Sequence, residues 1–191
     1  MSLQNKQPES KQLLAKYWAT GKKFHAKTLS FIKKYNNKII VIKYGGYALT
    51  KPALLKSFAK NISLLNQLGI KVIVVHGGGP QIEKELKKRK INNEEYQGLR
   101  VTTKSVLGVV KRILSHDLNK LISDEIKKNG GKTKRLNGVS TKVLKAKIAM
   151  NGNIGFVGEP RGIDKNIIMK ALKSNHIPII APLGVDANNN T

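Results

Sequence analysis

Residues 72–81 read V-I-V-V-H-G-G-G-P-Q: four β-formers run into a histidine and three glycines, and a proline then opens a segment with helical spacing. That order predicts a strand, a tight turn and a helix N-terminus. Glycine lets backbone approach a ligand closely, the N–H groups beyond the strand lack partners, and the helix dipole adds partial positive charge. An anion site follows from those three properties together. A plain strand-to-helix turn would need only one glycine.

The segment before it has matching character. Lys38 to Lys43 (K-I-I-V-I-K) reads as a buried strand after an Asn36-Asn37 turn, and Gly45-Gly46 follows it. Lys51 to Leu68 then has helical spacing, with Pro52 in its first turn and Gly69 as its stop. Strand, helix and strand make a βαβ unit with a right-handed crossover and parallel pairing. The fold class expected is therefore α/β, with a mostly parallel central sheet and helices on both faces.

Further along, helices are expected over Pro80 to Lys90, Thr103 to Asn129 and Asp164 to Lys173, the last capped by Asp164. Strands are expected over Lys132 to Asn137, Lys142 to Ala149, Ile154 to Gly158 and Ile177 to Pro182, with a polar loop over Ile91 to Gln97. Residues 1–10 are polar and without period, which predicts disorder. Lys11 to Tyr35 reads as an amphipathic helical arm that carries Trp18 and Phe24. The domain division expected is an arm over 1–35 and an α/β lobe over 36–191.

The net charge of +25 invites a nucleic-acid reading. Lysine supplies most of it, with arginine only at Arg89, Arg100, Arg112, Arg135 and Arg161, and aromatics are 5%. Base readers and phosphate clamps favour arginine and interleaved aromatics, so a solvated lysine surface is the better account. Cysteine is absent, which removes disulfides, thiolate metal sites and thiol nucleophiles. The lysine-rich N-terminus has no apolar h-region, and a cytoplasmic protein without a membrane span is expected.

Two parallel strands that both end in glycine turns bring Gly45-Gly46 beside Gly77-Gly78-Gly79 at the carboxyl edge of the sheet, where open α/β sheets bind ligands. Lys43 stands just before the first turn. One ammonium and two sets of N–H groups suit a transferring phosphoryl group, whose transition state asks for positioning and charge neutralisation. The spacing is neither a Walker A box nor G-x-G-x-x-G. Arg100, in G-L-R-V-T (98–102), is either a bidentate partner for a substrate carboxylate or an exposed loop arginine.

V-I-K-Y-G-G (41–46), V-V-H-G-G-G-P-Q-I (74–82) and G-L-R-V-T (98–102), in that order, resemble the N-acetylglutamate kinases of the amino-acid kinase family. G-F-V-G-E (155–159) and I-P-I-I-A-P-L-G-V (177–185) are similar to them as well. The resemblance implies the amino-acid kinase fold and phosphorylation of the side-chain carboxylate of N-acetyl-L-glutamate by ATP with Mg2+, in arginine biosynthesis. It implies that Lys43 stabilises the transferring phosphoryl and that Gly45, Gly46, Gly77 and Gly78 supply backbone donors. Arg100, with Gly78 and Gly79, would bind the substrate, and no residue here would hold a metal. It further implies a homo-oligomer, a dimer or a hexamer joined through the N-terminal helix. The family's N-x-N-A-D motif and nucleotide-binding half are not in this sequence, so the lobe expected is the acetylglutamate-binding one. Tyr47 is expected to crowd the phosphate crevice, and Val139-Ser140-Thr141 replaces a charged turn between two strands of a substrate lid. The alternatives are a non-catalytic acetylglutamate or amino-acid binding lobe and a basic nucleic-acid binder.

Overall fold

A computed structural model describes residues 26–92 and 94–191. Trp18, Phe24 and most of the expected arm lie outside the described residues. The arm's last part is α1 (Ala26–Tyr35), which ends at the Asn36-Asn37 turn, where Asn37 takes the left-handed conformation at φ 60°. Next come β1 (Ile39–Tyr44), α2 (Pro52–Gln67) and β2 (Lys71–His76). Pro52 lies in the first turn of α2, and Gly69, at φ +85°, stops the chain behind it. The two strands pair in parallel from Ile39↔Lys71 to Tyr44↔His76, which makes the expected βαβ unit.

Four strands form the main sheet, in the order β1-β2-β8-β5 and all parallel, with β5 at Thr133–Leu136 and β8 at Ile177–Ile180. The last strand in sequence is thus an interior one. Pro178 fits there because the N–H groups of Ile177 and Ala181 donate to Lys132 and Leu136 on the β5 side. The nitrogen of Pro178 faces β2 instead, whose pairing with β8 begins only at Val74↔Ile179.

One face of the sheet carries the larger core, in which Val72, Val74, Ile177 and Ile179 pack under α2 and under Val106, Leu114, Ile122 and Ile126 of the long helical segment. The other face is covered by α7 (Lys165–Lys173), whose Ile168 and Leu172 meet Ile73, Leu136 and Val143. Asp164 caps α7 as expected, its Oδ1 accepting from the N–H groups of Asn166 and Ile167.

Several expectations are corrected. β1 is an edge strand and half open: Ile39 and Val41 are exposed, whereas Tyr44 stacks on Phe58 under α2 at 3.9 Å between ring centroids. An all-apolar run predicts burial on both faces, but an edge strand has that only where helices reach it. The helical segment expected over 103–129 is present and continuous, and it is built of α4 (Lys104–Lys111), a π-helical stretch Arg112–Leu118, and α5 (Asn119–Lys128). Within the stretch the Ser115 hydroxyl donates back to the Lys111 carbonyl, and Arg135 takes the Ser115 carbonyl. Both bonds draw backbone oxygens out of the α pattern. Leu121 is exposed beyond this stretch, between buried Leu118 and Ile122.

The polar loop contains a two-residue hairpin, β3 (Glu95–Tyr96) with β4 (Leu99–Arg100), turning at Gln97 and Gly98, both at positive φ. Ile154 to Gly158 is not a strand; the strand is β7 (Gly158–Ile163), antiparallel to β6 (Leu144–Ile148). The ribbon is therefore β6–β7. The 139–141 turn, a short helix α6 (Gly138–Thr141) closed by the Asn137 side chain, joins β5 of the main sheet to β6.

Candidate active site

Beyond the last β1–β2 pair, the two glycine turns meet backbone to backbone. A Cβ added at Gly46 would stand 2.8 Å from Gly78 N and 3.0 Å from Gly79 N, and one at Gly77 would stand 3.1 Å from Gly46 N. Gly78 also packs on the helical segment, where a Cβ would come within 2.6 Å of Leu114 and Leu118. Helix α3 (Gly79–Lys88) starts directly from this contact with Pro80 in its first turn, so its leading N–H groups lack intrahelical acceptors.

One expected donor is corrected. The Gly77 N–H is already given to the Tyr44 carbonyl at 2.9 Å, because it continues the β1–β2 ladder by one rung. Among the described residues, no backbone or side-chain acceptor takes the N–H groups of Gly46, Gly78 or Gly79. Gly45 and Gly79 have open space where a Cβ would be. Lys43, exposed near the end of β1, makes no ion pair among the described residues. Tyr47 does not fill the crevice: the residue is 69% exposed and its ring lies under Lys51 Nζ at 5.4 Å.

Arg100 belongs to a neighbouring cleft of about 500 Å³, walled by the β3–β4 hairpin, the β6–β7 ribbon and the segment after β8. Leu99, Leu107 and Phe156 give it apolar walls, and Arg100, Lys147 and Asp186 bring charge to it. The Arg100 Nη2 donates to Glu83 Oε1 at 3.2 Å, while its Nε is buried with no partner. The glycine turns do not line this cleft. Helix α3 joins the two features: its first turn starts at the glycine contact, Ile82 is cleft wall, and Glu83 holds Arg100.

The ribbon is fastened to the hairpin through backbone. Thr102 receives a bond from Phe156 N–H and gives one to the Ile154 carbonyl, at 2.8 and 2.9 Å. Gly155 fits between them at φ +66°, with Thr102 O only 2.3 Å from where a Cβ would sit. Asp186 accepts from the Asn190 side chain and from the N–H groups of Asn190 and Asn188, which hold its carboxyl below the usual carboxylate range.

Side chains behind the turns support them: His76, which the sequence suggests orients the turn, and Gln81, Asn119 and Arg135, which it did not single out. Gln81 Nε2 donates to the Gly46 carbonyl at 2.9 Å. His76, 1% exposed, has Nδ1 at 3.0 Å from the Gly77 carbonyl and Nε2 at 3.2 Å from the Asn119 amide nitrogen. Asn119 is linked in turn to Ile179 O and to Arg135. Burial pushes the His76 imidazole below its ordinary range, so the ring is neutral at pH 7. Only a buried histidine next to glycines hinted at this network. Asn119 and Arg135 carry no local signal, because each looks like an ordinary polar residue of a helix or an edge strand.

The profile of the amino acid kinase family matches residues 38–191. The chain belongs to the amino acid kinase family. It is 40% identical over 174 residues to the acetylglutamate kinase of Psychrobacter cryohalolentis, an alignment covering 85% of this chain and 58% of that one. With the acetylglutamate kinase of Campylobacter curvus it shares 39% over 163 residues, again 85% and 58% of the two chains. The chain thus spans 58% of the length of these curated relatives. Among solved structures, smu.665 of Streptococcus mutans superposes with a TM-score of 0.73 at 29% identity, covering 80% of this chain and 61% of that one. An N-acetylglutamate synthase from Neisseria gonorrhoeae superposes at 0.71 and 20% identity over 85% and 37% of the chains, a likeness of fold.

Proposed function

We propose that residues 36–191 form the acceptor-binding lobe of an ATP-dependent acetylglutamate kinase of arginine biosynthesis, with residues 1–35 as a helical arm. In the reaction, a side-chain carboxylate oxygen of N-acetyl-L-glutamate bonds to the γ-phosphorus of ATP. The bond from that phosphorus to the bridging oxygen breaks, and ADP leaves with the electron pair. A carboxylate is already ionised at neutral pH and needs no general base. What remains is alignment and neutralisation of the phosphoryl charge. Lys43 and the N–H groups of Gly45, Gly46 and Gly78 serve that end, Arg100 holds the substrate's α-carboxylate, and Gly79 lies with Gly78 at the substrate's other end.

The observation that carries this reading is the backbone contact of the two glycine turns at the ends of adjacent parallel strands, 2.8 Å from the Gly46 Cβ position to Gly78 N. The unpartnered Arg100 Nε and the nearby Lys147 offer a carboxylate donors in the adjoining cleft. The acetylglutamate kinase relatives agree with it. Mg2+ would arrive with ATP, whose phosphates and waters supply most of its ligands, and no step is assigned to the ion. The same reading extends to a homodimer, or a hexamer joined through the N-terminal helix, and Phe31, 57% exposed on α1, supports a contact there.

Calorimetry with N-acetyl-L-glutamate tests the proposal. One site per chain is expected, weakened by Arg100→Ala by about 2 kcal/mol or more, roughly 30-fold, if the guanidinium meets a desolvated carboxylate. Equal affinity in the variant would remove Arg100 from the site. Absence of binding in both proteins would overturn the proposal.

A further inference from the structure

We propose that Arg135, Asn119 and His76 are positioning residues that together fix the direction of the Gly78 N–H; this rests on reading the glycine turns as a phosphoryl cradle. Each link follows from the donor or acceptor character of the one before it. Arg135 can only donate, and its Nε lies 3.1 Å from Asn119 Oδ1, so the oxygen end of that amide faces β5. The Asn119 nitrogen donates to the Ile179 carbonyl at 2.9 Å, which fixes the same orientation independently. Its second hydrogen then meets His76 Nε2 at 3.2 Å, so Nε2 is an acceptor and the ring proton sits on Nδ1. Nδ1–H donates to the Gly77 carbonyl at 3.0 Å.

The last link is the peptide bond. No peptide among the described residues is cis, so the Gly77 carbonyl and the Gly78 N–H point in opposite directions. Because the carbonyl is held against a ring that is 1% exposed, the Gly78 N–H is turned away from that ring, on the nitrogen to which a Cβ at Gly46 would come within 2.8 Å. The opposite tautomer would set a ring lone pair against the carbonyl oxygen. The peptide could then turn over and aim that oxygen at the anion. The three side chains come from β5, the start of α5 and the end of β2, and Arg135 is steadied by its bond to Ser115 O of the π-helical stretch at 3.0 Å. Asn119, fully buried, has both hydrogens and its oxygen engaged, so the network is satisfied as well as directional.

The test is nuclear magnetic resonance on the 191-residue chain with inorganic phosphate as the probe. Ring nitrogen shifts should show His76 in the Nδ1–H tautomer, and phosphate should move the Gly78 amide. His76→Asn keeps a side-chain N–H near the place of Nδ1 and should retain the Gly78 response within about threefold in affinity, whereas His76→Leu should weaken it at least tenfold. Should His76→Leu not fold, Asn119→Ser decides: it leaves the ring in place, and a second tautomer should appear together with a weaker Gly78 response. An Nε2–H tautomer in the wild type, no Gly78 response to phosphate, equal affinity in the Asn and Leu variants, or a tautomer change that leaves the response intact would overturn the inference. A chain with the expected tautomer and Gly78 response that fails to bind N-acetyl-L-glutamate would refute the proposed function and leave this inference standing.

Discussion

Gly46→Ala should damage the cradle, and Gly45→Ala, one residue away, should not. At Gly46 the new methyl would sit 2.8 Å from Gly78 N, 3.0 Å from Gly78 Cα and 3.0 Å from Gly79 N, all backbone atoms. A carbon needs roughly 3.5 Å from such neighbours, so the two turns must part by several tenths of an ångström. Neither can yield by a rotamer change. The β1–β2 ladder runs up to both turns, and Gly78 is packed on Leu114 and Leu118. Overpacking of this kind costs about 1–3 kcal/mol. At Gly45 nothing lies within 4 Å, and its φ is not in the left-handed region. Gly45→Ala should therefore be neutral, or stabilising by about 0.4–1 kcal/mol through the unfolded chain. Urea unfolding of the two variants measures the difference, with a lower midpoint for Gly46→Ala alone. Equal midpoints would show that the turns are not in rigid contact, and the shared cradle would fail with them.

Two further outcomes are expected. Burial lowers the His76 pKa, so below the unfolded value of about 6.5 the unfolded chain binds more protons than the native state; stability is at its full value above about 6.5 and declines as pH falls below it. Urea midpoints at pH 8 and 5.5 should differ in the wild type, and the gap should shrink in His76→Asn; an unchanged gap would clear His76. Gly155→Ala places a methyl 2.3 Å from Thr102 O on backbone at φ +66°, and should cost about 2 kcal/mol or more while weakening N-acetyl-L-glutamate binding, because it loosens the joint between hairpin and ribbon. A variant as stable as the wild type would show that joint to be adaptable.

The βαβ unit was legible because each element carries its own punctuation. Pro52 opens α2, Gly69 closes it, and the glycines after β1 and β2 mark where both strands leave the sheet. Asp164 was legible for the same reason, since an N-cap is a local bond. What depended on distant neighbours was not. The open face of Val41 follows from β1 lying at the edge, and strand order is not written in the strand. Ile154 to Gly158 looks like a strand by composition, yet its backbone is taken by Thr102, and pairing starts only at Gly158. The π-helical stretch keeps an apolar period close to that of an α-helix, with Leu114, Leu118, Ile122 and Ile126 buried at every fourth residue, so no sign of it shows in the sequence.

At the candidate site, Lys43, Gly46, Gly78 and Arg100 could be named from motif and residue chemistry. The loss of the Gly77 N–H to Tyr44 could not, because it depends on the exact register at which two strands stop pairing. Glu83 and Arg100 are 17 residues apart on different elements, and Arg135 reaches Asn119 from across 16. Such partners exist only once the chain has folded.

On this reading the glycine cradle and the Arg100 cleft, whose linings are separate, are two ends of one substrate site bridged by α3. A crystal structure of this chain with N-acetyl-L-glutamate tests that directly. The α-carboxylate should lie on Arg100 and the side-chain carboxylate at the turns of Gly46 and Gly78. A ligand bound in the cleft with its side-chain carboxylate turned away from those glycines, or bound elsewhere on the chain, would contradict it.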